Sequence, residues 1–571
     1  MAAIAIALSV SMPIWSSGII GGRPPSGGGP PFFIYATPDP EILRFGESST
    51  VRLDLFNVGN SPAEVEGIEV FGDRDPAISG TEVIGAFPML LPPKGNRTVL
   101  MVVRTSMERF APEGGRTLIV SALGPGASCP VYIWLVKRKA ELRAEARATF
   151  EAGRLLLDIG LENLGDGRAS GPGPSIFPPE GLELVRSPGG SNWELGPRER
   201  MAFRFELKNS TALSQGVWEI PAGISYGVMS EDLGTIAERS IQCVAKFHVG
   251  SGGAFDAFQS YGSSRWEVRY RVRVAPIEDG GRAVLRLKLP PSNSHQEVVS
   301  ESFSPAPDRF EADWLGNRVA IWALGNHLGE GGFETAYRAV VSTKWIRARP
   351  PPDGPPPSVG NWSSLLAPEP MIESESEEVR AVADGFEDAS AFDLAAKAFE
   401  FVQRGIKYVP HSPEKWFARE PMGQGALMTL RNKFGICTDK ADLLIALYRA
   451  KGLPARRSVG TVAGVFGSPS GQGHAWVEVW IPGCGFVPCD PTNELSFGEL
   501  SQREVCLYYG QGLSIMPAEV EGGPAYLSFE MEVGEPKPGP EGGMPAPFPL
   551  LLAPSILALA LALLFLSKRL V

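Results

Sequence analysis

The sequence predicts a multidomain, β-rich protein that ends in a membrane-spanning helix. The chain has 571 residues, and at about 150 residues per domain this length suits three to five domains. It contains 66 Gly and 52 Pro, which are frequent in turns between short strands. Residues 548–566 are an uncharged apolar run, close to the roughly 20 residues that cross a bilayer as a helix.

Both ends of the chain predict an extracytoplasmic protein. Residues 1–22 are apolar and are typical of a signal peptide or an N-terminal anchor. Lys568 and Arg569 follow the C-terminal apolar run, and the positive-inside rule places residues 567–571 in the cytoplasm as a short tail. We therefore expect a single-pass protein of the cell membrane, held by its C-terminal helix, with the bulk of the chain outside.

Charge and cysteine content exclude several classes of partner. The formal net charge is −11 and the pI is near 5.3, so no attraction to nucleic acid is expected. The cysteines are too few for a disulfide scaffold and lack zinc spacing, so neither a metal site nor another cofactor is predicted. In an oxidising compartment one or two bridges could form, with Cys437 left free, but the sequence does not pair the cysteines, which are Cys129, Cys243, Cys437, Cys484, Cys489 and Cys506.

An internal repeat covers residues 32–138 and 139–245. The first copy contains residues 53–59 (LDLFNVG) and the second residues 159–165 (IGLENLG). The matching asparagines, Asn57 and Asn163, are roughly 100 residues apart, which is the length of an immunoglobulin-like β-sandwich. Two such sandwiches are predicted. They could bind a partner protein at the cell surface or serve as a stalk.

A further β domain is predicted over residues 246–348, because residues 266–274 and 283–289 alternate between apolar and polar side chains. A Pro-rich linker follows at 349–374. A second linker is predicted at 516–547, between an α+β domain at 375–515 and the apolar C-terminal run.

The α+β domain places a cysteine at the start of a helix. Gly435 closes one segment, and an apolar helical pattern begins at Cys437 and continues to residue 449. The partial positive charge of a helix N-terminus favours the thiolate form of such a cysteine.

A histidine and an aspartate are predicted to meet on a hairpin. Residues 474–481 alternate strictly, Pro482 and the following glycine can turn, and residues 485–490 can return antiparallel. A hairpin centred on residue 482 would place His474 opposite Asp490. A carboxylate beside an imidazole fixes its tautomer and stabilises imidazolium, and the imidazole can then deprotonate a thiol.

Four ordered motifs carry a family resemblance: residues 435–439 (GICTD), 452–456 (GLPAR), 473–478 (GHAWVE) and 490–492 (DPT). They resemble the transglutaminase-like, papain-related superfamily, in proteins of the microbial membrane-anchored type. The resemblance implies a catalytic nucleophile Cys437, a base His474 and an orienting Asp490, and covers about 140 residues. More loosely, the β region with Gln296 and Asn317 resembles segments that precede such domains.

The resemblance also implies an oxyanion hole. Its first donor would be the backbone amide of Cys437. Trp416 and Gln424 are candidates for a second donor, although a structural role is the simpler interpretation of each. Asp439 and Lys440 are interpreted as helix-cap and surface residues.

Three functions remain open. The preferred hypothesis is a cysteine peptidase or amidase that acts through an acyl-enzyme on surface or envelope peptides. The second is a protein-glutamine transglutaminase that passes the acyl group to an amine. The third is a non-enzymatic surface adhesion or assembly protein.

Overall fold

The computed structural model describes residues 32–535, with gaps at 73, 107–112, 152–153, 190–191, 212, 231–233, 250–254, 276–282, 325–331, 352–361, 388–389, 409–422, 465–471, 494, 511–516 and 522–526. The predicted segments 1–22, 548–566 and 567–571 lie outside the described residues. Within the described ranges, none of the helices combines the length and the apolar character of a membrane-spanning segment.

The first repeat forms two four-stranded sheets around one core. Their orders are β1-β3-β8-β6 and β2-β10-β9-β5, and β4 pairs with β7. Apolar residues of both sheets share a single buried cluster. The strands are β1 Phe32–Asp39, β2 Ile42–Arg44, β3 Ser48–Asn57, β4 Ala63–Val65, β5 Gly67–Phe71, β6 Ile78–Ile84, β7 Met89–Leu91, β8 Asn96–Thr105, β9 Gly114–Leu123 and β10 Ser128–Val136.

The second repeat has the same two-sheet plan. Its sheets have the orders β11-β12-β17-β15 and β14-β18-β13-β16, and β19 pairs with β18. A second buried cluster lies between them. The strands are β11 Leu142–Glu151, β12 Arg154–Asn163, β13 Ala169–Gly171, β14 Ser175–Ile176, β15 Leu182–Arg186, β16 Trp193–Leu195, β17 Arg200–Asn209, β18 Gly216–Ser230 and β19 Gly234–Val249.

The repeated asparagines explain why the repeat is visible in the sequence. Asn57 and Asn163 are fully buried. The amide of Asn57 donates to the carbonyl of Leu91 at 3.1 Å, and that of Asn163 donates to the carbonyl of Leu195 at 3.3 Å. Each asparagine oxygen also accepts from the backbone N–H two residues further on. A buried amide needs these partners, so both modules retain the same residue. The immunoglobulin-like assignment stays a prediction.

The third β region is completed by strands from the far end of the chain. Its sheets have the orders β22-β25-β20-β34 and β23-β24-β21-β33, and β31 also pairs with β25. The strands before the α+β segment are β20 Phe258–Val274, β21 Val284–Lys288, β22 Gln296–Ser304, β23 Arg309–Ala312, β24 Arg318–Ala323 and β25 Phe333–Ala348. The later strands that join these sheets are β31 Glu499–Leu500, β33 Ala518–Glu521 and β34 Leu527–Gly534.

The prediction of a linker at 516–547 is therefore wrong for part of that segment. β33 pairs with β21, and β34 pairs with β20 over eight residues. The short alternating runs in this segment are edge strands of the two sheets. Their partners, β21 and β20, lie before the α+β segment in the chain. The α+β segment is inserted into the β domain.

The inserted segment packs helices on a four-stranded sheet of order β30-β29-β28-β32. Its strands are β26 Lys407–Tyr408, β27 Phe434–Gly435, β28 Ala455–Val462, β29 Gln472–Ile481, β30 Gly485–Cys489 and β32 Glu504–Gly510. Its helices are α1 Ser363–Leu366, α2 Glu377–Asp384, α3 Ala391–Gly405, α4 Ala426–Asn432 and α5 Cys437–Ala450. Every residue of α5 from 439 to 449 is buried, as expected of a helix surrounded by other elements.

Two amide side chains fasten the β domain to this sheet. Gln296 donates to the carbonyl of Cys506 at 2.8 Å and accepts from its N–H at 2.8 Å. Asn317 makes the same pair of hydrogen bonds with Tyr509, at 2.8 and 2.6 Å. Cys506 and Tyr509 lie on β32, the edge strand of the sheet. The two amides thus satisfy backbone groups that an edge strand leaves unpaired.

Truncation tests the inserted arrangement. A protein that ends at residue 515 lacks β33 and β34, and we expect its thermal unfolding midpoint to fall well below that of a protein that ends at residue 535. The reason is that Val533 is 2% exposed and Phe529 lies 5.2 Å from Tyr270, ring centroid to centroid. Circular dichroism measures both midpoints. Val533→Asp in the longer protein should also lower the midpoint, and equal midpoints for all three proteins would contradict this account.

Candidate active site

Cys437 is the first residue of α5, as the sequence predicts. The backbone N–H of Ile436 donates to Asp439 Oδ2 at 2.9 Å, and the N–H of Gln424 donates to Asp439 Oδ1 at 2.6 Å. Asp439 therefore caps the helix, although it is fully buried. The helix start directs its partial positive charge towards the thiol.

The hairpin that carries His474 has a different register from the predicted one. Ile481 pairs with Gly485 and Val477 with Cys489, so the centre lies at residue 483. The cause is a three-residue loop, made possible by Gly483 and Gly485 with φ of 82° and 80°, values that glycine adopts without strain. Asp490 consequently follows the last paired residue and does not pair opposite His474.

The two side chains nevertheless meet. Nε2 of His474 lies 2.6 Å from Oδ2 of Asp490. Asp490 is fully buried, and its carboxylate also accepts from the N–H of Thr492 at 2.9 Å and from the amide of Asn493 at 2.7 Å. Although burial alone would raise the pKa of Asp490, the neighbouring His474 and the Thr492 N–H hold it below its usual value. The carboxylate is ionised.

The pKa of His474 depends on both of its neighbours, Asp490 and Cys437. Its side chain is only 8% exposed. Burial acts to lower its pKa, but Asp490 and a hydrogen bond with Cys437 outweigh burial and raise the pKa well above the usual value for histidine. Because Nε2 faces Asp490, Nδ1 is the nitrogen left for the thiol. The order Cys437, His474, Asp490 is the one needed for an imidazolium that can exchange a proton with sulfur.

Comparison with known families agrees with this geometry. The model of the transglutaminase-like superfamily matches residues 380–491, a segment that contains all three side chains.

The chain carries a transglutaminase-like superfamily domain.

Several solved structures are similar over parts of the chain. One is a candidate cysteine protease from Cytophaga hutchinsonii, with 17% identity and a TM-score of 0.36, which covers 48% of this chain and 92% of that one. A protein of unknown function from Porphyromonas gingivalis W83 shows 16% identity and a TM-score of 0.16, covering 38% and 96%. A candidate protease from Parabacteroides distasonis ATCC 8503 shows 11% identity and a TM-score of 0.18, covering 65% and 72%. No curated protein matches. The family assignment therefore rests on residues 380–491.

The β domain closes one side of the transglutaminase-like domain. Trp476 is 1% exposed, and its ring lies 6.0 Å from that of His474, with 30° between the planes. It packs in a cluster with Leu315 and Ile346 of the β domain. Glu478, on the same strand, is buried in an ion pair with Arg456 at 2.7 Å. The opposite face of this strand is buried too, and its members are Ala475, Val477, Val479 and Ile481.

Lys440 is not the surface residue that the sequence suggested. It is 3% exposed, and its Nζ donates to the carbonyls of Gln403 at 3.2 Å and Ile406 at 3.0 Å. These carbonyls lie at the end of α3, where helical carbonyls lack intrahelical partners. Burial lowers the pKa of Lys440 to about 8, and the nearby Asp490 opposes this change.

Of the two candidates for a second oxyanion donor, only Gln424 lies within the described residues. Gln424 uses its side chain structurally, since its amide donates to the carbonyl of Phe434 and its oxygen accepts from Asn432. Trp416 lies outside the described residues. Sequence reasoning missed Asn493, which holds Asp490; its position three residues after that aspartate in a turn was the available signal.

The cysteines carry no disulfide. Cys484, Cys489 and Cys506 are buried as thiols. In the part of the chain that the structure describes, no group of three or more His, Cys, Asp or Glu side chains is arranged to hold a metal ion.

The role of Asp490 can be measured at His474. In Asp490→Asn we expect the pKa of His474 to fall, because the negative charge that stabilises its protonated form is lost. NMR titration of histidine-labelled protein reports this pKa. His295 is an internal control, since burial lowers its pKa to about 4 without any contribution from Asp490. An unchanged His474 pKa would contradict the assignment.

Proposed function

We propose that this protein is a cysteine peptidase or amidase that acts through an acyl-enzyme on peptide or isopeptide bonds. The observation that carries the proposal is the placement of His474, with its pKa raised, between the buried carboxylate of Asp490 and the thiol at the start of α5. The family match of residues 380–491 supports the same chemistry.

In the proposed reaction the Cys437 thiolate attacks the substrate carbonyl carbon, and the negative charge moves to the carbonyl oxygen. The backbone N–H of Cys437 is unpaired within the first turn of its helix and can donate to this oxyanion. Collapse of the intermediate breaks the C–N bond, and the imidazolium of His474 gives its proton to the leaving amine. Water then attacks the thioester carbon while His474, now neutral, takes a proton from it. Breaking of the C–S bond releases the carboxylic acid and restores the starting pair of Cys437 thiolate and His474 imidazolium.

We also propose that the enzyme acts outside the cytoplasm, attached to the cell membrane by residues 548–566. Its substrates would then be surface proteins or envelope peptides, and the two sandwiches could hold the catalytic domain away from the bilayer or bind a surface partner. If the anchor proposal is right, a protein of residues 24–571 sediments with membranes, whereas a protein of residues 24–545, which lacks both apolar ends, stays in the supernatant. Sedimentation of the shorter protein with membranes would contradict it.

Alkylation of Cys437 tests the chemistry. We expect iodoacetamide at pH 6 to modify Cys437 at least about tenfold faster in the wild type than in His474→Ala, because imidazolium stabilises the thiolate. Intact-mass and peptide mass spectrometry give the site and the rate.

The chain supplies its own reference thiol for this experiment. Cys243 is partly exposed, and burial raises its pKa to about 11, so it should react slowly in both proteins. If Cys437 reacts no faster than Cys243, the enzymatic proposal fails. Where Cys437 is activated, incubation with peptides in the presence and absence of an amine separates hydrolysis from acyl transfer.

A further inference from the structure

An apolar cluster joins the first sandwich to the transglutaminase-like domain beside the nucleophile. Phe56 and Val58 of the sandwich are 3% and 1% exposed, and Phe434 of the catalytic domain is 1% exposed. The rings of Phe56 and Phe434 meet edge to face, with centroids 5.1 Å apart and planes at 75°. Phe434 belongs to this cluster and not to the main core of its own domain. The residue three positions before Cys437 is therefore packed by the sandwich.

Two polar contacts accompany the cluster. The hydroxyl of Tyr35 donates to the carbonyl of Tyr408, and the side-chain amide of Asn96 donates to the carbonyl of Asn432. Tyr408 pairs with Gly435 in the parallel pair β26–β27, and Asn432 ends α4. The sandwich thus holds both backbone segments that lie next to the start of α5.

The backbone between Phe434 and Cys437 has little room to move. A Cβ atom added at Gly435 would lie 2.6 Å from Cβ of Asp439, so the backbone there is in close contact with the helix cap. The N–H of Ile436 is held by that same aspartate. A displacement of Phe434 must consequently move the first turn of α5, and Cys437 with it.

We propose that the first sandwich is a positioning module of the active site, in which Tyr35, Phe56 and Asn96 fix the backbone before Cys437 and so set the thiol against His474. This inference rests on the function proposed above. The three residues do not reach the reacting atoms and act through Tyr408, Phe434 and Asn432. A misplacement of about 1 Å can lower a reaction rate about a hundredfold. Loss of these contacts therefore needs to shift the thiol only slightly to lower the rate measurably.

The test uses the full-length chain with Tyr35→Phe, alone and combined with Asn96→Ala. Tyr35→Phe removes one hydroxyl and leaves the ring in the cluster, so the sandwich should remain folded. Tyr132→Phe is the matched control, because Tyr132 lies on β10 of the same sandwich and is 40% exposed. The readouts are the rate of Cys437 alkylation across pH 5–8 and the unfolding midpoint.

We expect the double variant to alkylate about tenfold more slowly than the wild type at pH 6, at temperatures where all the proteins are folded, and Tyr132→Phe to match the wild type. If the double variant only unfolds at a lower temperature while Cys437 keeps its rate and pH profile, the contacts merely join two domains and the inference is overturned. If wild-type Cys437 is itself no faster than in His474→Ala, the proposed function fails first, and the positioning role falls with it.

Discussion

The full burial of the Asp490 carboxylate is the constraint around which the transglutaminase-like domain is arranged. A buried charge costs several kcal/mol unless it is paired and hydrogen-bonded. Here His474, the Thr492 N–H and the Asn493 amide all reach it, and Lys440 contributes a further positive charge nearby. These partners come from strand β29, the loop after β30, and helix α5. Satisfying one carboxylate therefore brings the helix of Cys437 and the strand of His474 together.

A second constraint is that the transglutaminase-like domain is covered by the β domain on the side of β32. Gln296 and Asn317 occupy the edge of that strand, and residues of β28 and β32 join the core of the β domain. Arg347 of β25 adds ion pairs to Glu219 of the second sandwich and Glu499 of β31, each at 2.7 Å. The described residues accordingly belong to one compact unit.

The sequence predicted what is encoded locally. The start of α5 at Cys437 follows from a glycine and an apolar helical pattern, and four short motifs were enough to select the three residues proposed for the site. The predicted hairpin register was wrong because Gly483 and Gly485 allow a three-residue loop in place of the tighter turn that Pro482 suggested. The prediction that Lys440 lies on the surface was wrong because a lysine on a helix is usually solvated. The carbonyls that bind Lys440 belong to the end of another helix and give no signal near it in the sequence. The pairing of β34 with β20, and the contact of Phe56 with Phe434, join distant parts of the chain and leave no periodic signal.

The insertion of the catalytic segment into the β domain has a consequence for biosynthesis. During translation β20 emerges long before β34, its partner on one side. Until then β20 keeps an open edge, which is a site where other chains can pair. A nascent chain that stops before residue 527 would already contain Cys437, His474 and Asp490 but would lack β34, the strand that pairs with β20. The β domain can therefore be completed only after all three of these residues have been synthesised.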